Sequence, residues 1–182
     1  MELILIDGGP ASGKNTIGTL LVKKFLKNGI KSILLDLDTY VEEINPSWIW
    51  KDKQQENIDQ LKAREKYIRD INKYIIEDFT VISIGERFLT KEDLNAFISR
   101  LSTTCPIFLY HLSVPLYLRK QRLHKRGPHS LIDLEKDQKE RDSIQKWYGY
   151  IYENVNSPEE DVLNLSDLIQ QKIGLLNLSE IK

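Results

Sequence analysis

Residues 3–16 read LILIDGGPASGKNT, and no other stretch restricts the chain's fold so tightly. Gly8, four intervening residues, Gly13 and Lys14 have the spacing of a loop that wraps its backbone N–H groups around phosphate oxygens. Glycine permits the close approach and unusual dihedrals this wrapping needs. The context fits as well. The apolar run Leu3–Ile6 reads as a buried strand, and Ile17, Leu20, Leu21 and Phe25 recur at helical spacing after the loop. Lys14 then sits at a helix start, where the backbone already favours an anion. The expected cradle is Gly8, Gly9, Pro10, Ala11, Ser12, Gly13, Lys14, Asn15 and Thr16, and its expected ligand is a nucleoside polyphosphate. The position after the lysine, usually a Ser or Thr whose hydroxyl reaches Mg²⁺, is Asn15, with Thr16 next. Asn15 can offer its amide oxygen to the metal, or water and a carboxylate can hold it.

The 182 residues suit a single α/β domain spanning 1–182. A formal net charge of −1 provides no global field to recruit nucleic acid or an anionic membrane. The lone Cys105 cannot form an internal disulfide and reads as a small buried hydrophobe. The apolar run at the N-terminus lacks a basic n-region and is too short for a signal peptide or a span. These features predict a cytoplasmic protein of a reducing compartment with no membrane association.

Short apolar runs alternate with longer stretches of 3.6 periodicity. Strands are expected at Glu2–Asp7, Ser32–Leu37, Thr80–Ile84, Ile107–Leu112 and Asp161–Leu165. Helices are expected at Lys14–Lys27, Gln54–Asp78, Lys91–Leu101, Pro115–Arg126, Leu134–Glu153 and Asp167–Leu175. Gly29 suits a C-terminal cap, Thr90-x-x-Asp93 is a helix-start signal, and Ser166 is placed as the cap of the last helix. The alternation predicts a parallel sheet covered on both faces, with ligands at the carboxyl ends of its strands. Thr90-Lys91-Glu92-Asp93 also matches a guanine-reading tetrapeptide. A GTPase needs an Asp-x-x-Gly switch after its third strand, however, and Ile82-Ser83-Ile84-Gly85 has no aspartate, so the segment is read as a cap.

Several side chains can carry chemistry. Asp36 and Asp38, at the end of the second strand, fall on one face by strand alternation. An acid there can orient Mg²⁺ or accept a proton from an attacking hydroxyl, and Asp38, placed nearer the edge, is preferred as base and metal organiser. Asp36 is then expected near the acceptor. Arg64 lies on the apolar stripe of Ile58, Leu61, Ile68, Ile71 and Ile75; it either reaches an acceptor phosphate or carboxylate, or forms a structural ion pair. Arg87 follows the third strand at the same edge. Arg119, Arg122 and Arg126 share a helix face and open onto a Gly-Pro turn, as a phosphate-closing lid over about 119–134 requires. Arg122 and Arg126 are expected at the transferred phosphoryl group and Arg119 at the nucleotide. Arg141 either returns to the site or sits in surface pairs. Trp48 and Trp50 are read as packing anchors of their loop. The histidines lack metal-ligand spacing.

With these residues in view, the chain resembles the P-loop nucleotide and small-molecule kinases: monophosphate, shikimate and gluconate kinases, adenylylsulfate kinase and chloramphenicol phosphotransferase. The resemblance rests on residues 6–16, the pair Asp36 and Asp38, and Arg122-x-x-x-Arg126-Gly127. Val162-Leu163-Asn164-Leu165-Ser166 looks like the family's last strand and helix start. The resemblance implies a three-layer α/β/α P-loop NTPase fold, a five-stranded parallel sheet ordered 2-3-1-4-5, and ATP with Mg²⁺ as donor. The chain has Gly85-Glu86-Arg87-Phe88 where adenylate kinases have Gly-x-Pro-Arg, so a small hydroxyl acceptor and a nucleotide acceptor both stay open. The expected activity is transfer of the γ-phosphoryl group of ATP to a small molecule or nucleotide by a monomer or homodimer. The alternatives are a kinase for nucleic-acid ends or a sugar nucleotide, and an idle nucleotide-binding module.

Overall fold

The computed structural model describes residues 1–102, 104–125, 127 and 132–181. Five parallel strands form the sheet: β1 (Leu3–Gly8), β2 (Ser32–Asp36), β3 (Thr80–Ile84), β4 (Ile107–Ser113) and β5 (Tyr150–Glu153). Their order is β2-β3-β1-β4-β5. The fully buried β1 is the central strand, with Leu3 in register with Val81 on one side and Ile107 on the other. Alternation along β1 sends its side chains into two cores. Leu3 and Leu5 pack with Leu35 and Val81 beneath α3 (Lys53–Ile76), through Tyr67, Ile71 and Ile75. Ile4 and Ile6 pack with Ile82 and Ile84 beneath α1 (Lys14–Lys27) and α7 (Pro158–Gln170), through Ile17, Leu21 and Leu165. Each such side chain contributes on the order of 1.5–3 kcal/mol by leaving water. The chain moves from β1 to the β2 edge and back, then to β4 beyond β1. The switch in direction therefore falls beside the carboxyl end of β1, where the glycine loop lies.

The remaining helices are α2 (Leu37–Ile44), α4 (Lys91–Ile98), α5 (Leu116–His124), α6 (Leu134–Asp142) and α8 (Leu178–Ile181). Thr90 and Asp93 form a reciprocal capping box on α4. Among the described residues, no helix is long and apolar enough to cross a membrane.

Three expectations fail. The first concerns the last strand, which is Tyr150–Glu153; Asp161–Leu165 lies inside α7. Ser157 caps that helix, with its side chain accepting from Glu160 N and Pro158 in the first turn, and Ser166 is internal. The buried positions Val162, Leu165, Ser166 and Ile169 follow helical spacing, whereas Tyr150, Ile151 and Tyr152 are the aromatic and β-branched residues that favour an edge strand. The two readings meet at Asp161, fully buried, whose Oδ1 accepts from the Tyr152 hydroxyl at 2.7 Å and from Asn156 Nδ2 at 3.0 Å. The second failure is the helix expected to reach Glu153, which stops at Asp142 before Gly149, at φ 84°, turns the chain into β5. The third is that β2 ends at Asp36. Asp38 is not on the strand but in the first turn of α2, so the two acids do not share a strand face. The Asp36 side chain caps α2 by accepting from Asp38 N at 3.1 Å.

Candidate active site

The glycine loop is built as an anion cradle. Ala11 (φ 62°) and Gly13 (φ 97°) both take left-handed backbone conformations, bending the chain so that successive N–H groups converge. The first-turn N–H groups of a helix have no intrahelical partner. Side chains of Asp36, Asp52, Thr90, Asp133 and Ser157 cap α2, α3, α4, α6 and α7, whereas α1, which follows Gly13, and α5, which follows Pro115, have no side-chain cap and no acid in the first turn. Of these two, α1 alone carries a lysine, Lys14, at its first position. The ammonium of Lys14 donates to the carbonyls of Gly8 (2.8 Å) and Gly9 (3.3 Å). Burial pulls it below the ordinary lysine range, against the opposing pull of Asp7 and Asp38. The hydroxyl of Ser12 is buried without a hydrogen-bond partner among the described residues.

The outer, carbonyl side of the loop is tied down. Arg119 Nε donates to Pro10 O (2.9 Å), Arg122 Nη1 to Ser12 O (3.2 Å), and Asn154 Nδ2 to Ser12 O (2.6 Å). Arg119 is 2% exposed, and its other nitrogens donate to Asp137 Oδ2 (2.5 Å) and Gln138 Oε1 (3.1 Å). A Cβ on Gly9 would stand 2.4 Å from the Arg119 guanidinium and 2.3 Å from the Asp137 carboxylate, so a larger residue there would have to displace this ion pair. Arg122 also reaches Asn154 O (3.4 Å). Arg126 and residues 128–131 of the expected lid lie outside the described residues.

Beneath the loop lies a buried ion network that sequence reading missed. Asp7 is fully buried; Arg141 donates to both of its oxygens (3.0 and 3.2 Å), His111 Nδ1 lies 3.0 Å from Oδ2, and Gly8 N donates to Oδ1 (2.6 Å). Burial raises the Asp7 carboxyl, but the hydrogen bond with His111 and the charge of Arg141 outweigh it and hold the group well below the usual carboxylate range. Arg141 thus returns to the glycine loop from below, through Asp7. The partners are 104 and 134 residues apart in sequence, so only the fold reveals them. Asp7→Asn should leave Arg141 with only the longer contact to Asp137 (3.4 Å) as counter-charge, at a cost of about 3 kcal/mol. A carboxyl with a depressed folded value adds stability that is present above its unfolded value and lost as pH falls through the folded one. In denaturant titrations from pH 7 downward, the variant should therefore lie below the parent at neutral pH and converge on it in strong acid. Equal midpoints at neutral pH would refute the network's role.

Two cavities flank the cradle. One, about 300 Å³, is lined by Gly13, Thr16, Ile17, Arg122, Lys125, Asn154 and Pro158. The other, about 390 Å³, is lined by Asp38, Trp48, Gln60, Arg64, Glu86, Arg87 and Glu140. The structure thus gathers Asp38, Arg64 and Arg87 around one space. Asn15 Nδ2 donates to Asp36 Oδ2 (2.6 Å), beside the loop. Burial, and next the negative charge of Asp36, push the Asp38 carboxyl up. Arg64 grips the buried Glu86 with Nε (2.6 Å) and Nη2 (3.1 Å), while Arg87 donates to Glu140 (2.8 Å) and Asp137 (3.4 Å). Ile58 and Leu61, expected on the buried stripe of α3, are exposed; Ala63, Tyr67, Ile68, Ile71 and Ile75 form its buried face. Trp48 is no buried anchor but a 38% exposed wall of the second cavity. Asn154, Gln60 and Glu86 belong to the site without any sequence motif. Asn154 alone had a weak signal, standing just before the helix start Ser157-Pro158.

The family model for chromatin associated protein KTI12 matches residues 1–85. No curated protein matches the chain significantly. Among solved structures, shikimate kinase from Aquifex aeolicus superposes with a TM-score of 0.61 at 19% identity, covering 94% of this chain and 98% of that one. The Mycobacterium tuberculosis APS kinase, solved with AMPPNP and APS, gives a TM-score of 0.64 at 14% identity, with 93% and 97% covered. The Deinococcus radiodurans tunicamycin resistance protein gives 0.62 at 12%, with 97% and 98% covered. The glycine loop on a central parallel strand, the 2-3-1-4-5 order and these superpositions along nearly whole chains agree: the chain has the fold of the P-loop kinases.

Proposed function

We propose that the chain is an ATP-dependent phosphotransferase that moves the γ-phosphoryl group to a hydroxyl or phosphate of a small molecule or nucleotide. One observation carries this reading: a lysine-bearing helix start without a side-chain cap lines one cavity, and a separate cavity is lined by a carboxylate, electrostatically coupled to that lysine, whose proton affinity is raised. A module that only binds nucleotide has no use for the second cavity or for a base within it.

The phosphates rest on N–H groups of the loop and of the first turn of α1, Gly13 to Thr16 foremost, with Lys14 exchanging its two carbonyl partners for phosphate oxygens. The base and ribose occupy the cavity beside Gly13, Thr16 and Asn154. Arg122, at its rim, trades the Ser12 carbonyl for the phosphoryl oxygens as negative charge redistributes over them. The acceptor occupies the second cavity with its hydroxyl toward Asp38, which accepts the proton. Buried and repelled by Asp36, the Asp38 carboxylate is a stronger base than an exposed one. The donors nearby suit Mg²⁺, a hard cation that keeps several waters and takes one or two carboxylates together with substrate phosphates. Asp36 and the amide oxygen of Asn15 would hold it, directly or through water, with Asp38 reaching only its water, so that the Asp38 oxygens stay free to take the proton. Bound there, it would neutralise charge on the β- and γ-phosphates.

Asp38→Asn keeps the shape and removes the basic oxygen. Turnover, followed as ADP release over a panel of acceptors, should fall on the order of a hundredfold or more, with ATP affinity little changed and the acidic limb of the rate profile lost. Unaltered turnover in this variant, alongside a larger loss in Asp36→Asn, would transfer the role to Asp36.

A further inference from the structure

The second cavity carries a charge pattern that restricts what can enter it. Its described lining contains four carboxylates, Asp38, Glu86, Asp93 and Glu140, against two guanidinium groups, Arg64 and Arg87. Each arginine already faces an acid, Arg64 more firmly than Arg87, whose partner Glu140 is as exposed as it is. Glu86 is 8% exposed, and Arg64 holds it through two parallel hydrogen bonds. Drawing Arg64 away onto a ligand's phosphate would leave a buried carboxylate unpaired, a cost of several kcal/mol in other proteins. Arg87 directs Nη2 to Glu140 and to the buried Asp137. With both cations matched by acids, the excess charge facing the cavity is negative. Trp48 adds an aromatic wall. It holds φ at 55°, a strained setting for so bulky a residue and one that tends to persist at ligand sites. Edge contact with Trp50 at 6.1 Å, together with the Trp50 Nε1 hydrogen bond to Asp59 (3.1 Å), fixes the loop that carries it. An indole face attracts amines and the C–H face of a sugar ring, not anions.

The geometry points to an acceptor that is uncharged or amine-bearing: a hydroxyl compound such as a nucleoside, a sugar or an amino sugar, and not a nucleoside monophosphate or a hydroxy acid. This rests on assigning the 390 Å³ cavity to the acceptor. It departs from the expectation that Arg64 and Arg87 grip an acceptor phosphate or carboxylate, because each already faces an acid and the lining keeps an excess of carboxylates over guanidinium groups.

Trp48 reports the cavity's potential directly. The chain has three tryptophans, and the signal of Trp48 is the difference between Trp147→Phe and Trp48→Phe/Trp147→Phe proteins, which both keep the Trp50 anchor. Its fluorescence can be quenched by caesium, iodide and neutral acrylamide, each normalised to free tryptophan amide. Iodide should quench about threefold or more less effectively than caesium, given surface potentials of several kT in charged clefts. Glu86→Gln, which releases Arg64, should raise iodide quenching selectively. Iodide quenching equal to or above that of caesium overturns the assignment. The unsubstituted protein gives an independent measure through ADP release with ATP and Mg²⁺. Acceleration by adenosine, glucose or glucosamine but not by AMP, shikimate or gluconate supports the class, and acceleration by any of those anions overturns it. Failure here is distinct from failure of the kinase reading, which is judged by acceptor-stimulated ADP release that Asp38→Asn removes, whatever the charge of the acceptor, and which stands if only the acceptor class is wrong.

Discussion

Arg122→Ala should lower kcat by about a thousandfold, the scale of an arginine acting on a phosphoryl group in flight. Affinity for ATP should change little. The side chain projects from α5 between the nucleotide cavity and the glycine loop, with Nη1 3.2 Å from the Ser12 carbonyl and Nη2 3.4 Å from that of Asn154. These carbonyls are weak partners for a guanidinium and can be given up when phosphoryl oxygens gain charge. Because the gain is concentrated in the transition state, the loss should appear in kcat and not in binding. Arg122→Lys should restore only part of it, since an ammonium lacks the planar fork. Asn154 still holds Ser12 O in the variant, so the loop should keep its shape. Steady-state kinetics with both variants decide the matter; near-normal kcat in Arg122→Ala would reduce Arg122 to a structural bridge.

Lys14→Ala should abolish the thermal stabilisation given by ATP and Mg²⁺. A ligand at a hundred times its Kd stabilises the folded state by about 2.7 kcal/mol. For a domain of this size that is roughly 5–10 °C in Tm. Lys14 holds only the Gly8 and Gly9 carbonyls and belongs to neither hydrophobic core, so the variant should melt near the parent when both are free of ligand. It should shift by less than about 1 °C when ATP is added. A full shift in Lys14→Ala, measured by differential scanning fluorimetry, would remove the phosphate site from this loop.

The parts legible in the sequence are those whose information is local. Buried β1 reads as an unbroken apolar run, the loop as glycine spacing, and the α4 start as Thr90 with Asp93. β5 is not legible because a four-residue edge strand with a single buried side chain, Tyr152, leaves a weak alternation, while Val162 to Leu165 mimic a strand in any short window. Asp38 was placed on a strand because nothing nearby marks the end of β2; the cap by Asp36 makes the turn there, and an Asp-x-Asp pair serves a strand end or a helix start equally well. Arg64 illustrates a third kind of loss. Its place between apolar residues on α3 showed that it needed a partner, and an ion pair was one of the two readings, but which acid supplies it depends on β3 delivering Glu86 from 22 residues away. Asn154 and Gln60 come to the site through packing alone.

The Asp7, His111 and Arg141 cluster has a consequence for how this chain can vary over descent. Loss of Asp7 or Arg141 alone strands buried charge at the other and should be purged, whereas a concerted exchange of the set for apolar residues of similar volume can be neutral or even stabilising, as buried ion pairs elsewhere allow. Relatives should therefore carry either the whole set or none of it. Those that lack it would hold the strand below the phosphate loop by packing, with no charge beneath Lys14 to offset the burial of its ammonium.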